Sequence, residues 1–215
     1  MNRAEGVRPR KRRSDGERSR EAILRQAAEL ATVAGLDGLS IGRLADAVGM
    51  SKSGLFAHFG SKEELQLATV DWAVDLFDTE VTGPALAAAT GRERLDELVE
   101  NFLRHVVGGY PGGCFFASIV TEMDTRPGRL RDRAVEIMRG WLELLETTVA
   151  QAQAEGTIAA SEDPKQLAFE LEAAMFLANV LFVATRDQAV LDRARVAIDA
   201  RLAAAAGPPP SDGTS

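Results

Sequence analysis

Three serines placed to cap helices, with Gly49 shortly before the second, cut residues 40–65 (SIGRLADAVGMSKSGLFAHFGSKEEL) into short helical pieces. Ser40 is placed to cap a helix over 41–48, and Ser51 a second over about 52–59, because a serine hydroxyl can accept from an orphan amide of the first turn. Gly49 between them permits a tight turn that most side chains resist. Ser61 to Glu64 has the S-x-x-E form that opens a helix, here a long one carried by Leu65, Leu67, Ala68, Trp72 and Leu76. Ala45 is small where the two short helices must approach, and Leu44, Val48, Leu55 and Phe59 fill the space between them. Lys52, Ser53, Phe56 and His58 are left to face outward.

The rest of the chain is punctuated in the same way. From about Ser19 to Ala34, Ile23, Leu24, Ala27, Ala28, Leu30 and Ala31 recur at three- and four-residue spacing, with Gly35 as a stop. Beyond Pro84 the periodicity predicts helices over roughly 91–107, 114–122, 128–155, 164–185 and 188–205, with Asp163 as a cap and Pro127 and Pro164 at helix starts. The glycine-rich run 108–113 is a loop, and no stretch alternates as a strand would. The expected fold is all-α: a flexible basic arm over 1–16, a three-helix helix-turn-helix domain over 17–62, a larger helical domain over 63–206 and a disordered tail over 207–215.

Charge divides the chain along the same line. Its 25 Lys and Arg and 32 Asp and Glu give −7 overall, yet residues 1–63 hold 12 basic and 8 acidic residues (+4), leaving 13 and 24 (−11) for the remainder. One end suits a polyanion and the other repels it. No run of about 18 uninterrupted apolar residues occurs and the first 20 are charged throughout, so neither a membrane span nor a secretory leader is expected, and the expected location is the cytoplasm. The chain has one cysteine, two histidines and no Cys/His cluster of zinc spacing, phosphate loop or dinucleotide glycine fingerprint, so no metal, cofactor or catalytic centre is expected.

A short helix with exposed polar residues at its N-terminal end is what the major groove of DNA accepts. Here the sequence resembles the tetracycline-repressor (TetR) family of regulators. The likeness covers residues 17 to about 75, including SREAILRQAAELATVAGLDGLSI and the G-x-S-x-x-x-L-F-x-H-F-x-S-K-E-x-L spacing. It implies that the helix from Ser51 to Phe59 enters the major groove, with Ser40, Phe56, His58 and Lys62 at the DNA backbone. Lys52 and Ser53, at the start of that helix, are the candidates for base contacts, and Arg43, Ser51 and Gly54 complete the expected DNA-binding set. The family usually carries tyrosine where this chain has Phe56, so a phosphate bond from that hydroxyl is unavailable.

The second domain resembles the family less specifically. Its apolar inventory offers Phe102, His105, Cys114, Phe116, Met123, Trp141, Met175 and Phe176 as lining for a small-molecule site, with plain core packing as the alternative for each. Cys114, without a flanking base, reads as an inert core residue. Two apolar stripes, one of Leu167, Leu171, Ala174, Met175, Ala178 and Leu181 and one of Val190, Ala194, Ala197 and Leu202, suit a dimer-forming helix pair, the alternative being a bundle inside one subunit. The expected protein is a homodimeric repressor, released from an inverted-repeat operator on double-stranded DNA by a small-molecule effector.

Overall fold

The computed structural model describes residues 15–123, 125 and 127–207. Residues 1–14 of the expected arm and 208–215 of the expected tail lie outside the described residues.

Helix α1 (Asp15–Gly38) starts earlier than its apolar periodicity suggests and is interrupted, not ended, at Gly35, whose φ of 77° and ψ of 160° lie outside helical space. In α2 (Ile41–Val48) and α3 (Lys52–Phe59) the caps form as expected: Ser40 accepts from the Arg43 amide and Ser51 from the Gly54 amide, and Gly49 turns the chain with φ 67°. The hydroxyl of Ser61 accepts from Glu64 N to open α4 (Lys62–Phe77), while the Glu64 carboxylate takes Arg129.

Past Phe77 the chain widens into a π turn (Asp78–Thr82) and a single short helix α5 (Gly83–Leu86) with Pro84 in its first turn. The sequence reading missed both, because one wide turn has no apolar period of its own. Thr90 and Glu93 form a complete reciprocal capping box at α6 (Gly91–Gly108). Then follow α7 (Phe115–Met123), α8 (Arg129–Ala154), α9 (Pro164–Thr185) capped by Asp163, and α10 (Gln188–Ala204) capped by Asp187.

These helices build two apolar cores that share α1 and α4. Ile23, Leu24 and Ala27 of α1 join Leu39, Leu44, Ala45, Leu55, Phe59 and Leu65 in the first. One turn further, Ala28, Ala31 and Leu36 enter the second core with Val70, Ala73 and Phe77 of α4 and the inner faces of α6–α10. Packing therefore runs unbroken across residues 62 and 63, where the sequence reading put a boundary.

The expected dimer stripe needs correction. Leu167, Leu171, Met175 and Ala178 of α9 and Ala194 and Leu202 of α10 are spent inside the second core, with Leu171 only 1% exposed, and Ala174 and Val190 are half-covered against it. Leu181 and Ala197 are exposed, beside Phe169 (62% exposed), Leu177 (56%) and Val180 on α9 and Val196 (69%) on α10. Helix α9 is apolar on both faces, so periodicity alone could not tell the inner face from the outer. It is also the one helix among the described residues long and apolar enough to cross a bilayer by length and composition, although six of its residues form core and Asn179 is buried with them.

Gly35 generates a prediction. Its backbone region is essentially closed to other residues, and an added Cβ would stand 2.7 Å from a carboxylate oxygen of Glu122. Gly35→Ala is expected to cost about 1–3 kcal/mol in urea unfolding; a variant as stable as the parent would show that the kink is not held.

Candidate functional site

Helix α3 turns Leu55 and Phe59 into the first core, which leaves its opposite face outward. Lys52 and Ser53 are exposed there, and so is Phe56, half of whose surface no side chain covers. Arg43 is exposed on the first turn of α2. The hydroxyls of Ser40 and Ser51 each accept a capping bond; that of Ser40 keeps its own hydrogen to donate outward, while Ser51 Oγ shares a hydrogen bond of 3.2 Å with Ser53 Oγ in which either hydroxyl can donate. The Gly54 amide is used by that cap and is not free for a phosphate. His58 is half-buried, and its carbonyl accepts from Arg20, whose guanidinium lies 4.5 Å from the centre of the Phe59 ring. Lys62 is exposed, and its ammonium donates to the Asp37 carbonyl at 2.7 Å, tying the start of α4 to the end of α1.

Two positions supporting this surface were missed in the sequence. Gly42 leaves room for the Lys52 stem: a Cβ there would lie 3.3 Å from Lys52 Cε. Arg20 braces the end of α3 from α1. Neither contact has a local sequence signal, since each joins separate helices.

The kink of α1 is gripped from the second core. Glu122 near the end of α7 accepts from the amides of Leu36 (2.7 Å) and Asp37 (3.0 Å), while Gln66 of α4 donates to the Leu36 carbonyl at 2.6 Å. Arg129 and Arg133 of α8 pair with Glu63, Glu64 and Asp71 of α4, but these are exposed pairs that contribute little each.

At the other end of α4 and α7 lies a cavity of about 800 Å³, bordered also by α6, α8 and α9 and open to solvent on one side. Four of the eight expected lining residues face it: Phe102, Cys114, Phe116 and Trp141. The other four do not. His105 is buried with Nδ1 2.8 Å from Glu80 and its ring edge-on to Phe77; Met123 is core at the far end of α7; Met175 is 0% exposed; Phe176 packs half-buried on the core. Phe77, absent from the expected set, is the hub of the aromatic wall, edge-on to Phe116 (5.5 Å) and Trp141 (5.4 Å), and Trp141 stacks on Phe102 (6.3 Å).

The most informative lining residue was also missed. Glu172 of α9 faces the cavity and accepts from the Trp141 indole Nε1 at 2.6 Å, with no cationic side chain within ion-pair distance among the described residues. Burial pushes its carboxyl up to about 7, and the indole hydrogen bond lowers it only in part. Its signal was in the sequence: Glu172 falls at helical spacing from Ala168 and Met175, on the face that α9 buries. Cys114, whose amide donates to Asn179, has its thiol pushed up to about 11 by burial, which suits an inert wall residue. Among the described residues no group of His, Cys, Asp and Glu is arranged to hold a metal ion.

A carboxyl with a raised folded-state value holds its proton more tightly folded than unfolded. The stability this confers is complete at and below the ordinary carboxylate range and is lost as pH rises to about 7. Glu172→Gln, which keeps an oxygen for Trp141 but cannot ionise, should match the parent at pH 4.5 and exceed it at pH 8 by on the order of 1–3 kcal/mol in chemical denaturation. Equal differences at both values would show that Glu172 does not titrate in this range.

Comparison with known proteins agrees with this architecture. The family model for bacterial regulatory proteins of the tetR family matches residues 23–69, and that for the tetracyclin repressor-like C-terminal domain matches residues 91–198. A search of curated proteins finds no match. Among solved structures, a TetR transcriptional regulator from Chloroflexus aurantiacus J-10-FL superposes with a TM-score of 0.82 at 27% identity, over 89% of this chain and 98% of that one. AibR, in complex with isovaleryl coenzyme A and operator DNA, aligns at 28% identity and a TM-score of 0.63, over 75% of this chain and 85% of its own. A TetR-family regulator from Cytophaga hutchinsonii, 24% identical, shares the fold with a TM-score of 0.77 over 91% and 98%. With its two family models lying on the two packed cores and more than half of its length matched, this chain belongs to the tetracycline-repressor family of DNA-binding transcriptional regulators.

Proposed function

We propose that this regulator is a homodimeric repressor that holds an inverted-repeat operator and lets it go when a small molecule occupies the cavity. One observation carries the coupling: α7 lines the cavity through Phe116 and, six residues on, holds the kink of α1 through the Glu122 carboxylate. Helix α4 runs in parallel, from Lys62 at the DNA-binding end to Phe77 at the cavity. A ligand that prefers one placement of α7 and α4, while DNA prefers another, makes the two bindings mutually opposed. Such a regulator works in the cytoplasm, beside the chromosome.

On DNA, α3 enters the major groove. Lys52 and Ser53 read bases, while Ser40, Arg43, Ser51, His58 and Lys62 hold the backbone and Phe56 packs against its sugar-phosphate edge. Gly54 contributes by letting the helix start approach closely, since its amide is already used by the cap. In the dimer the exposed faces of α9 and α10 meet a second copy, because their apolar residues are otherwise left in water. Two copies of α3 related by a two-fold axis require half-sites in successive major grooves of an inverted repeat.

The test begins with selection of bound sites from genomic fragments, followed by titration of operator and scrambled DNA at several salt concentrations. Lys52→Ala should lose about 1–3 kcal/mol on the operator and relax preference at particular base pairs. Lys62→Ala should weaken both DNAs alike and reduce the salt slope by about one. Equal losses on both DNAs for Lys52→Ala, with Lys62→Ala harmless, would overturn these roles.

For the dimer, Leu177→Glu and Val196→Glu should sediment as folded monomers, whereas Leu171→Glu should unfold the protomer because it puts a charge into the core. Intact dimers for both outer variants would move the interface elsewhere.

A further inference from the structure

The cavity has an uneven chemical character. Its wall of Phe77, Phe102, Phe116 and Trp141 is aromatic, yet Glu172 stands among these rings with one hydrogen bond, from an uncharged indole. Other carboxylates of the same helical hairpin are provided for: Glu162 and Glu170 both pair with Arg201. No arginine of the cavity compensates Glu172. Arg131, Arg133 and Arg139 border the cavity on the α8 side, yet Arg133 pairs with Asp71 and Glu136, Arg131 pairs with Asp132, and none of the three forms an ion pair with Glu172 among the described residues. A carboxylate drawn out of water costs heavily unless a positive charge accompanies it. Aromatic faces, negative at their centres, attract the same kind of charge.

We infer that the cavity takes a lipophilic monocation, an organic ammonium or its like, whose charge rests against Glu172 and whose apolar body lies between the rings of Phe77, Phe102, Phe116 and Trp141. The inference rests on the proposal that this cavity is the effector site, and it names the ligand's chemical class. An anionic ligand would set its charge against Glu172, and a neutral one would leave the carboxylate either uncompensated or protonated. The shape agrees, since about 800 Å³ bounded by flat rings has room for a body of several rings.

Three probes of similar size and different charge provide the test: tetraphenylphosphonium, neutral triphenylphosphine oxide and tetraphenylborate. Each is titrated calorimetrically at pH 8 into the full-length protein, into Glu172→Gln and into Glu143→Gln, a cavity-rim control. The phosphonium should bind the parent at least about tenfold more tightly than either other probe and lose about tenfold in Glu172→Gln, a factor corresponding to about 1.4 kcal/mol. The neutral probe should bind all three proteins alike, and Glu143→Gln should behave as the parent. Equal binding of the three probes by the parent, preference for the borate, no binding of any probe, or an unchanged phosphonium affinity in Glu172→Gln would overturn the inference. The comparison of probes on the parent stands even if a variant folds poorly.

Repeating the titrations with operator DNA present separates the two proposals. Phosphonium that binds with the expected charge preference but leaves DNA in place supports the cation site and refutes its regulatory role. DNA released by the borate or the neutral probe alone would support regulation and overturn the cation site.

Discussion

Everything in this molecule hangs on one helix packing into two cores. The first half of α1 supplies Ile23, Leu24 and Ala27 to the core beneath α2 and α3; its second half gives Ala28, Ala31 and Leu36 to the core of the larger domain. Close-packed side chains transmit displacement instead of absorbing it. A shift of α7 against the end of α1 therefore reaches α3 through side chains already in contact. Gly35 adds a joint at this point: its non-helical backbone turns the Leu36 and Asp37 amides toward α7, where the Glu122 carboxylate accepts both.

The cavity lies at the opposite end of the same two levers. Phe77 closes α4, Phe116 lies in the first turn of α7, and the two rings meet edge-on. The π turn that follows α4 brings Asp78 and Thr82 to the cavity wall, where one extra residue per turn re-aims the side chains. In the mechanism proposed above, a ligand in this cavity presses on the helices that hold the DNA-binding core. Coupling between sites needs such a bistable contact, and differential affinity of the ligand for the two arrangements supplies the energy.

How much could be read in advance differs between the two ends. At the DNA end the caps of Ser40, Ser51 and Ser61, the left-handed turn at Gly49 and the outward Lys52, Ser53 and Phe56 were all legible, because a cap or a tight turn is decided by residues three or four apart. At the cavity, Phe102, Phe116 and Trp141 were found, but Met175 and Met123 went to the core and Phe77 and Glu172 were passed over. An aromatic or methionine in a helical stripe serves a core or a cavity equally well, and only the placement of neighbouring helices separates the two.

The sequence by itself determined the all-helical class, most helix limits to within a few residues, the helix-turn-helix and the separation of charge, since each follows from local spacing and composition. Tertiary structure decided which face of α9 is core, why α1 bends instead of ending at Gly35, and that Glu172 meets Trp141 without a cation. These depend on pairs of residues 31 to 86 positions apart, as in Trp141 with Glu172 and Leu36 with Glu122, and no local rule of helix or turn formation reaches that far.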